Sequence, residues 1–393
     1  MKYTLVSADS HMDMSWLPGN LFTDNVPATI RDKMPRVVET PNGPIWKTEE
    51  KVLGVYGGLG FGFSKPRMGK SRQIDKMYEA GYYEGPPHAI NKEARLTDMA
   101  MEGIDAEILY GMTAAGNRID DKQVLAQTYR IYNDWVSNWC KSSPGKWFGL
   151  ACIPVQDPKE GAAELTRGFE SGLRGADIFV SSTVKPIYMR DGFWDPIWKA
   201  SADTNMPISF HIGGGGIQVP GPNPESGDPP KSIHGKLNPT QNELGYIGTH
   251  LPLEQLAGSE WLVSIIMSGA CDRYPEFQFV LGECGAGWIP FVIERMDLKY
   301  NDAYLDQKFS PPLTLKPSEY WYRQGATTFQ NDPTVGHFAE YIGENNLMWG
   351  SDYPHPDGVW PGSRDVIKSN MSNLSEKTIK KITCDNAVRL YKM

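Results

Sequence analysis

Short apolar runs alternate with amphipathic stretches of helix length along most of this 393-residue chain. Tyr3-Thr4-Leu5-Val6-Ser7, Asp105–Tyr110, Trp147–Val155, Gly175–Val180, Pro207–Phe210, Phe277–Gly282, Ala326–Phe329 and Asn346–Gly350 each read as a strand. Between them lie helical patterns. One runs from Asp121 through Trp135 and Trp139, with Asp120 or Asp121 as its N-cap, and one opens at Asp157 and carries Ala162, Ala163, Leu165 and Phe169. Further helices are expected around Trp194–Trp198, over about 252–272, 288–298 and 335–342, and through the C-terminal residues to Leu390. Strands that recur roughly every 30–60 residues and alternate with helices mark a parallel β/α architecture. A count of eight favours a closed (β/α)8 barrel over an open sheet.

Two stretches interrupt the repeat. Residues 40–95 are rich in Gly, Pro and Tyr, and residues 213–250 open with Gly213–Gly216 and continue through five prolines, Pro220 to Pro230. Loops of this length are usually lids, substrate-binding insertions or oligomer contacts. The second leaves directly from His211 and is expected to cover the site. The whole span 1–393 is expected to form one barrel domain with these two insertions.

Composition narrows the class. Lys and Arg number 39 against 47 Asp and Glu, a net charge of −8 without long like-charged blocks, which argues against nucleic acid or an anionic membrane as the main partner. No signal-peptide pattern and no apolar run of about 18 residues is present, so the cytoplasm is the expected compartment. Five scattered cysteines match neither a disulfide framework nor a zinc ribbon.

The chemistry gathers where three of the runs end: Asp9-Ser10-His11, His211 and Asp352. In a parallel barrel the C-terminal strand ends converge on one open face. Asp9 and His11, two apart on a strand, share a face there. Two imidazoles and two carboxylates suit a catalytic divalent cation that keeps room for water or substrate, zinc first and manganese nearly as well. Taken singly, Asp9 could form an Asx turn, His211 could be a satisfied buried histidine, and Asp352 could cap a helix. His355, just past Asp352, is placed to touch substrate or to brace the turn through Tyr353.

These motifs, with Gly282-Glu283-Cys284-Gly285-Ala286-Gly287-Trp288-Ile289-Pro290, Gly350-Ser351-Asp352-Tyr353-Pro354-His355-Pro356 and the closing Cys384–Tyr391 segment, resemble the amidohydrolase-related metal-dependent hydrolases. Within them the chain is most similar to the branch containing aminocarboxymuconate-semialdehyde decarboxylase. The resemblance implies a distorted (β/α)8 barrel, a single divalent metal with Asp9, His11, His211 and Asp352 as ligands, a small carboxylated or aromatic-derived substrate, and a homodimer or higher homo-oligomer. One position departs from the pattern: decarboxylases of this branch usually carry histidine after the sixth strand, where this chain has Glu283. A carboxylate beside a metal-activated water is a good general base. Hydrolysis, with Glu283 or Asp352 taking the proton and His234 or His250 entering from the long loop, is therefore the first expectation. Non-oxidative decarboxylation, or hydration, is the alternative.

Overall fold

A computed structural model of the chain describes residues 3–41, 43–49, 51–57, 88–180, 183–212, 245, 248–249, 252–355 and 358–393. Its strands are β1 (Val6–His11), β2 (Arg36–Val38), β3 (Ile45–Lys47), β4 (Val52–Val55), β5 (Ala106–Tyr110), β6 (Trp147–Cys152), β7 (Gly175–Ile178), β8 (Ile208–His211), β9 (Phe279–Gly282), β10 (Gly325–Phe329) and β11 (Leu347–Trp349). Eight of them run parallel in the order β1-β5-β6-β7-β8-β9-β10-β11, with helices between them. The ring closes just beyond β11, where Asp352 N donates to Asp9 O at 2.9 Å and His11 N to Tyr353 O at 2.7 Å. The fold is the expected (β/α)8 barrel.

Helices start where side chains satisfy the first free N–H groups. Asp121 accepts from the amides of Gln123 and Val124, and Asp157 from those of Lys159 and Glu160. The helix expected over 252–272 is instead Ala257–Met267 followed by a short turn Ala270–Arg273. Gly269 at φ 74° separates them. In the stretch 40–95, β3 and β4 join β2 in a three-stranded antiparallel sheet that the sequence pattern did not reveal. It sits over the loops that leave β1 and β5: Gly57 N donates to Ser15 O, and the buried Trp46 ring meets Phe22. The remainder of that stretch, 58–87, and nearly all of 213–250 lie outside the described residues.

Inside the barrel, Val6 and Ala8 of β1, Ile108 of β5, Leu150 of β6, Val280 of β9 and Met348 of β11 form one buried cluster with Cys384, Ala387, Leu390 and Tyr391. The last four come from the closing helical segments Lys381–Asp385 and Asn386–Leu390 and the residue after them. They stop the barrel at the N-terminal ends of its strands. The opposite end carries the chemistry.

β1 starts at Val6, inside the apolar run Tyr3–Ser7, and continues through Asp9, Ser10 and His11, so that Asp9 and His11 lie on one strand as expected. Its pairing with β5 shifts between Ser7 and Ser10: Ser7 faces Glu107 and Ser10 faces Leu109, so three steps on β1 match two on β5. Val6 and Ala8 point into the barrel, and strict alternation would send Asp9 and His11 outward. The extra residue of this bulge reverses the phase and turns both toward the barrel mouth.

Candidate metal centre

Asp9, His11, His211, Glu283, Asp352 and His355 meet at the C-terminal ends of β1, β8, β9 and β11. Nε2 of His11 lies 3.4 Å from Asp9 Oδ1 and 3.0 Å from Asp352 Oδ1. Nε2 of His211 lies 3.4 Å from Asp9 Oδ1 and 3.6 Å from Glu283 Oε2. Ligand atoms bonded to one ion at about 2.0–2.2 Å stand about 3.0–3.5 Å from each other. The three spacings among Asp9, His11, His211 and Asp352 fall in that range, and the Glu283 contact lies just outside it. His11 and Asp352 are buried, yet neither ring nitrogen of His11 and neither oxygen of Asp352 makes a hydrogen bond of good geometry. Buried polar atoms are nearly always partnered, so four orphaned atoms at one point fit a cation.

The surroundings orient these donors. His211 Nδ1 lies 2.8 Å from Ile212 O, which fixes the tautomer and leaves Nε2 for the site. Thr328 Oγ1 donates to Asp9 Oδ2 at 2.6 Å and accepts from Glu283 N at 2.7 Å, so one hydroxyl positions two carboxylates. Asp13, four residues after Asp9, lies 3.4 Å from His11 Nδ1 and 2.8 Å from His355 Nε2. His11 is stacked between His355, at 3.9 Å between ring centroids, and Tyr110, at 5.8 Å. Gly350 is required by packing, since a Cβ there would stand 2.3 Å from Asp9 Cβ.

Beneath the site, Arg95 is fully buried and donates to Glu107 Oε2 at 2.7 Å and to the carbonyl of His11 at 3.0 Å. Glu107 also accepts from Ser10 Oγ and Trp147 Nε1. This ion pair holds the backbone of β1 at the residue that presents His11.

Electrostatics follow from the crowding of opposite charges. Burial opposes the charged form of Asp9, yet His211 and His11 outweigh it and hold its carboxyl below the ordinary value. Asp352 is lowered in the same way, against burial, by His355 and His11. Burial likewise opposes the His11 cation, but the nearby carboxylates of Asp13, Asp352 and Asp9 raise it well above the usual imidazole value. His355 is pushed up to about 9, its burial overcome by Asp352 and Asp13. Asp177, on β7, shows the opposite balance: desolvation dominates and raises its carboxyl. Without a cation, His11 and His355 are the groups that favour holding a proton.

The structure thus brings together Asp9, His11, His211, Asp352 and Glu283. His234 and His250 lie outside the described residues. His355 is buried against Asp352 and Asp13 in addition to following Tyr353. Sequence reasoning missed Asp13, Thr328 and Arg95. The spacing Asp9-x-His11-x-Asp13 carried a signal for the first; a threonine in a strand and an arginine in a helix carried none.

A barrel of this topology with such a cluster at its mouth defines a class of enzyme, and comparison with known proteins agrees. The chain belongs to the amidohydrolase family, whose model matches residues 76–393. It is 23% identical over 320 residues to a gamma-resorcylate decarboxylase from Polaromonas sp. (strain JS666 / ATCC BAA-500), which covers 77% of this chain and 87% of that one. Among solved structures, an amidohydrolase from Mycobacterium avium subsp. paratuberculosis K-10 superposes with a TM-score of 0.71 at 16% identity, over 100% of this chain and 98% of the other. A dihydroxybenzoic acid decarboxylase from Polaromonas sp. JS666, solved with manganese and 2-nitroresorcinol, has a TM-score of 0.62 at 19% identity, over 100% and 97%. Among the described residues, no helix is long and apolar enough to cross a membrane.

Proposed function

We propose that this chain catalyses non-oxidative decarboxylation of a small aromatic carboxylic acid at a divalent cation held by Asp9, His11, His211 and Asp352. The observation that carries the reading is the buried, hydrogen-bond-deficient pair His11 and Asp352 between two further donors. The relatives' chemistry supports decarboxylation above the hydrolysis first expected from Glu283, and the manganese in one of them supports that ion alongside zinc. When bound, such a cation supplies a fixed positive charge that draws in a substrate carboxylate and a neighbouring oxygen and takes up electron density there.

The chain's residues do the rest. Asp352 Oδ1 faces His11 and His355, which leaves Oδ2, buried and outside every hydrogen bond, to take the proton of a substrate hydroxyl group and pass it on to the ring. The proton adds to the ring carbon that bears the carboxylate. The bond to the carboxylate carbon then breaks, its electrons restore the aromatic ring, and carbon dioxide leaves. Tyr110, with its ring 4.7 Å from that of His211, walls the site with an apolar face.

Hydrolysis stands as a second reading because of one observation: a carboxylate, Glu283, lies 3.6 Å from His211 Nε2, where a general base for water would act. The test is turnover of carboxyl-labelled hydroxybenzoates, 2,6-dihydroxybenzoate among them, in oxygen-18 water. Labelled carbon dioxide with no solvent oxygen in the product, lost in Asp352→Asn, is expected. Solvent oxygen in the product of any accepted substrate, with no carbon dioxide, would establish hydrolysis instead.

A further inference from the structure

We infer that the barrel binds a small organic anion at the end opposite the metal centre, in a cavity where Arg323 and Arg389 take its carboxylate and the plug takes its apolar body. The cavity measures about 300 Å³ and opens among the N-terminal ends of β10 and β11, the helix Pro317–Gln324 and the closing helix Asn386–Leu390. Small-molecule pockets begin at about that size. None of its residues belongs to the site at the mouth, so the inference stands apart from the proposed function.

The charge of the cavity is one-sided. The chain as a whole is acidic, at −8, yet Arg323 and Arg389 line this recess and no acid does. Arg323 donates from Nε to Gln324 Oε1 and from Nη2 to Cys271 O, both at 2.8 Å. Arg389 donates from Nη2 to Asn345 O at 2.8 Å. All three acceptors are neutral, and a guanidinium carries five N–H groups, so each arginine keeps donors and an uncompensated charge for a further partner. Two acids of the neighbouring segments, Glu344 and Asp385, are engaged by Lys381 and Lys380 instead. Guanidinium groups bind carboxylates through paired, charge-assisted hydrogen bonds.

Inorganic phosphate would satisfy the arginines as well, and the floor of the cavity decides between the two. Ala326, Met348 and Leu390 line it; all three are buried members of the plug cluster. A bare inorganic anion leaves that apolar surface facing water. An organic carboxylate covers it, and each buried methylene equivalent is worth about 0.8 kcal/mol.

The walls are already in place. Asn346 Nδ2 donates to Gly325 O at 2.7 Å and Trp321 O at 2.9 Å, and Asn386 Nδ2 to Leu347 O and Glu344 O, both at 2.7 Å. Each of these buried asparagines ties one element to the next, so little ordering is left to oppose binding. The helix that carries Arg323 runs straight into β10, and the helix that carries Arg389 packs against β1 and β11. An anion gripped by both arginines therefore fastens the plug to the barrel, and binding to the folded state alone raises stability.

The experiment measures binding of radiolabelled benzoate, a carboxylate on an apolar ring, to the full chain by equilibrium dialysis, together with the urea midpoint with and without benzoate. Inorganic phosphate and the neutral benzamide serve as competitors. The wild type and His211→Ala, which disables the metal centre, are both expected to bind benzoate and to unfold at higher urea in its presence. Arg323→Gln and Arg389→Gln, checked for folding by circular dichroism, are each expected to weaken this binding by about tenfold or more, with Mn2+ affinity unchanged. Phosphate and benzamide are expected to compete poorly. Benzoate binding that His211→Ala abolishes and the arginine variants keep belongs to the mouth and would overturn the inference, as would no binding at all. In the wild type and His211→Ala alike, equal competition by phosphate would overturn the part given to the apolar floor, and equal competition by benzamide the part given to the arginines.

Discussion

Replacing Thr328 with valine removes a single hydroxyl and keeps the β-branched shape, so it isolates what that oxygen does. Thr328 is fully buried; it donates to Asp9 Oδ2 at 2.6 Å and accepts from Glu283 N at 2.7 Å. Valine strands a buried N–H and leaves a buried carboxylate short of one donor. A hydrogen bond to a charged group is worth about 1.5–3 kcal/mol, and a stranded buried donor costs about 1–3 kcal/mol. The two losses share one hydroxyl and do not add fully, which gives about 2–4 kcal/mol for Thr328→Val in the metal-free protein. Asp9 also loses the partner that aims it, and loss of such a partner lowers metal affinity on the order of 10–100-fold. Thr328→Ser restores the hydroxyl and forfeits one methyl, about 0.8 kcal/mol. Urea unfolding of the chelator-treated proteins, followed by tryptophan fluorescence, reads the first quantity, and Mn2+ competition with a chelator reads the second. If valine and serine bind Mn2+ equally well and unfold together, Thr328 does not organise the site.

Other perturbations reach different parts of the structure. Arg95→Ala leaves the Glu107 carboxylate buried without its cation and is expected to cost about 3–5 kcal/mol, whereas Arg95→Met with Glu107→Leu costs far less; equal losses in urea unfolding would refute the ion-pair account. The metal-free protein should lose stability with rising pH. His11 and His355 titrate higher than the ordinary imidazole value of 6.5, His355 at about 9, so their contribution is complete below 6.5 and is lost as pH passes through about 9. The urea midpoint is expected to fall across that window, Mn2+ affinity is expected to rise across it as the ion displaces those protons, and a flat or rising midpoint contradicts the assignment. Gly350→Ala would place a Cβ 2.3 Å from Asp9 Cβ and 2.9 Å from Asp9 N, and since backbone cannot yield cheaply, Mn2+ affinity should fall more than about tenfold with the circular dichroism spectrum unchanged. Wild-type affinity in that variant would mean the seam between β1 and β11 can move.

The barrel was legible because parallel strands are covered on both faces and so appear as near-continuous apolar runs, such as Phe279-Val280-Leu281. The small sheet was not, because Arg36–Val38, Ile45–Lys47 and Val52–Val55 are three or four residues long and only partly buried, too short for a period-2 pattern. At the site, the residues that carry unusual chemistry for a strand end stood out: Asp9, His11, His211 and Asp352. The bulge that turns the first two inward leaves no mark in sequence, since it depends on the register between β1 and a strand about a hundred residues later. Thr328 and Arg95 were invisible for a related reason. Each acts through a contact distant in the chain, 319 residues for Thr328 with Asp9 and 84 for Arg95 with His11, and neither residue type is unusual where it lies.

The plug at the far end of the barrel ties the history of the chain to its geometry. Val6 and Ala8 leave the ribosome about 380 residues before Leu390 and Tyr391, which share a cluster with them. The seam between β1 and β11 likewise needs residues 9–11 and 351–353 together. The barrel cannot close until residue 391 has emerged, and its early strands must keep company with chaperones or with partial sheets until then. Asp9 and Asp352 meet only when the ring shuts, so under the proposed function an ion held by both would be captured no earlier than that closure.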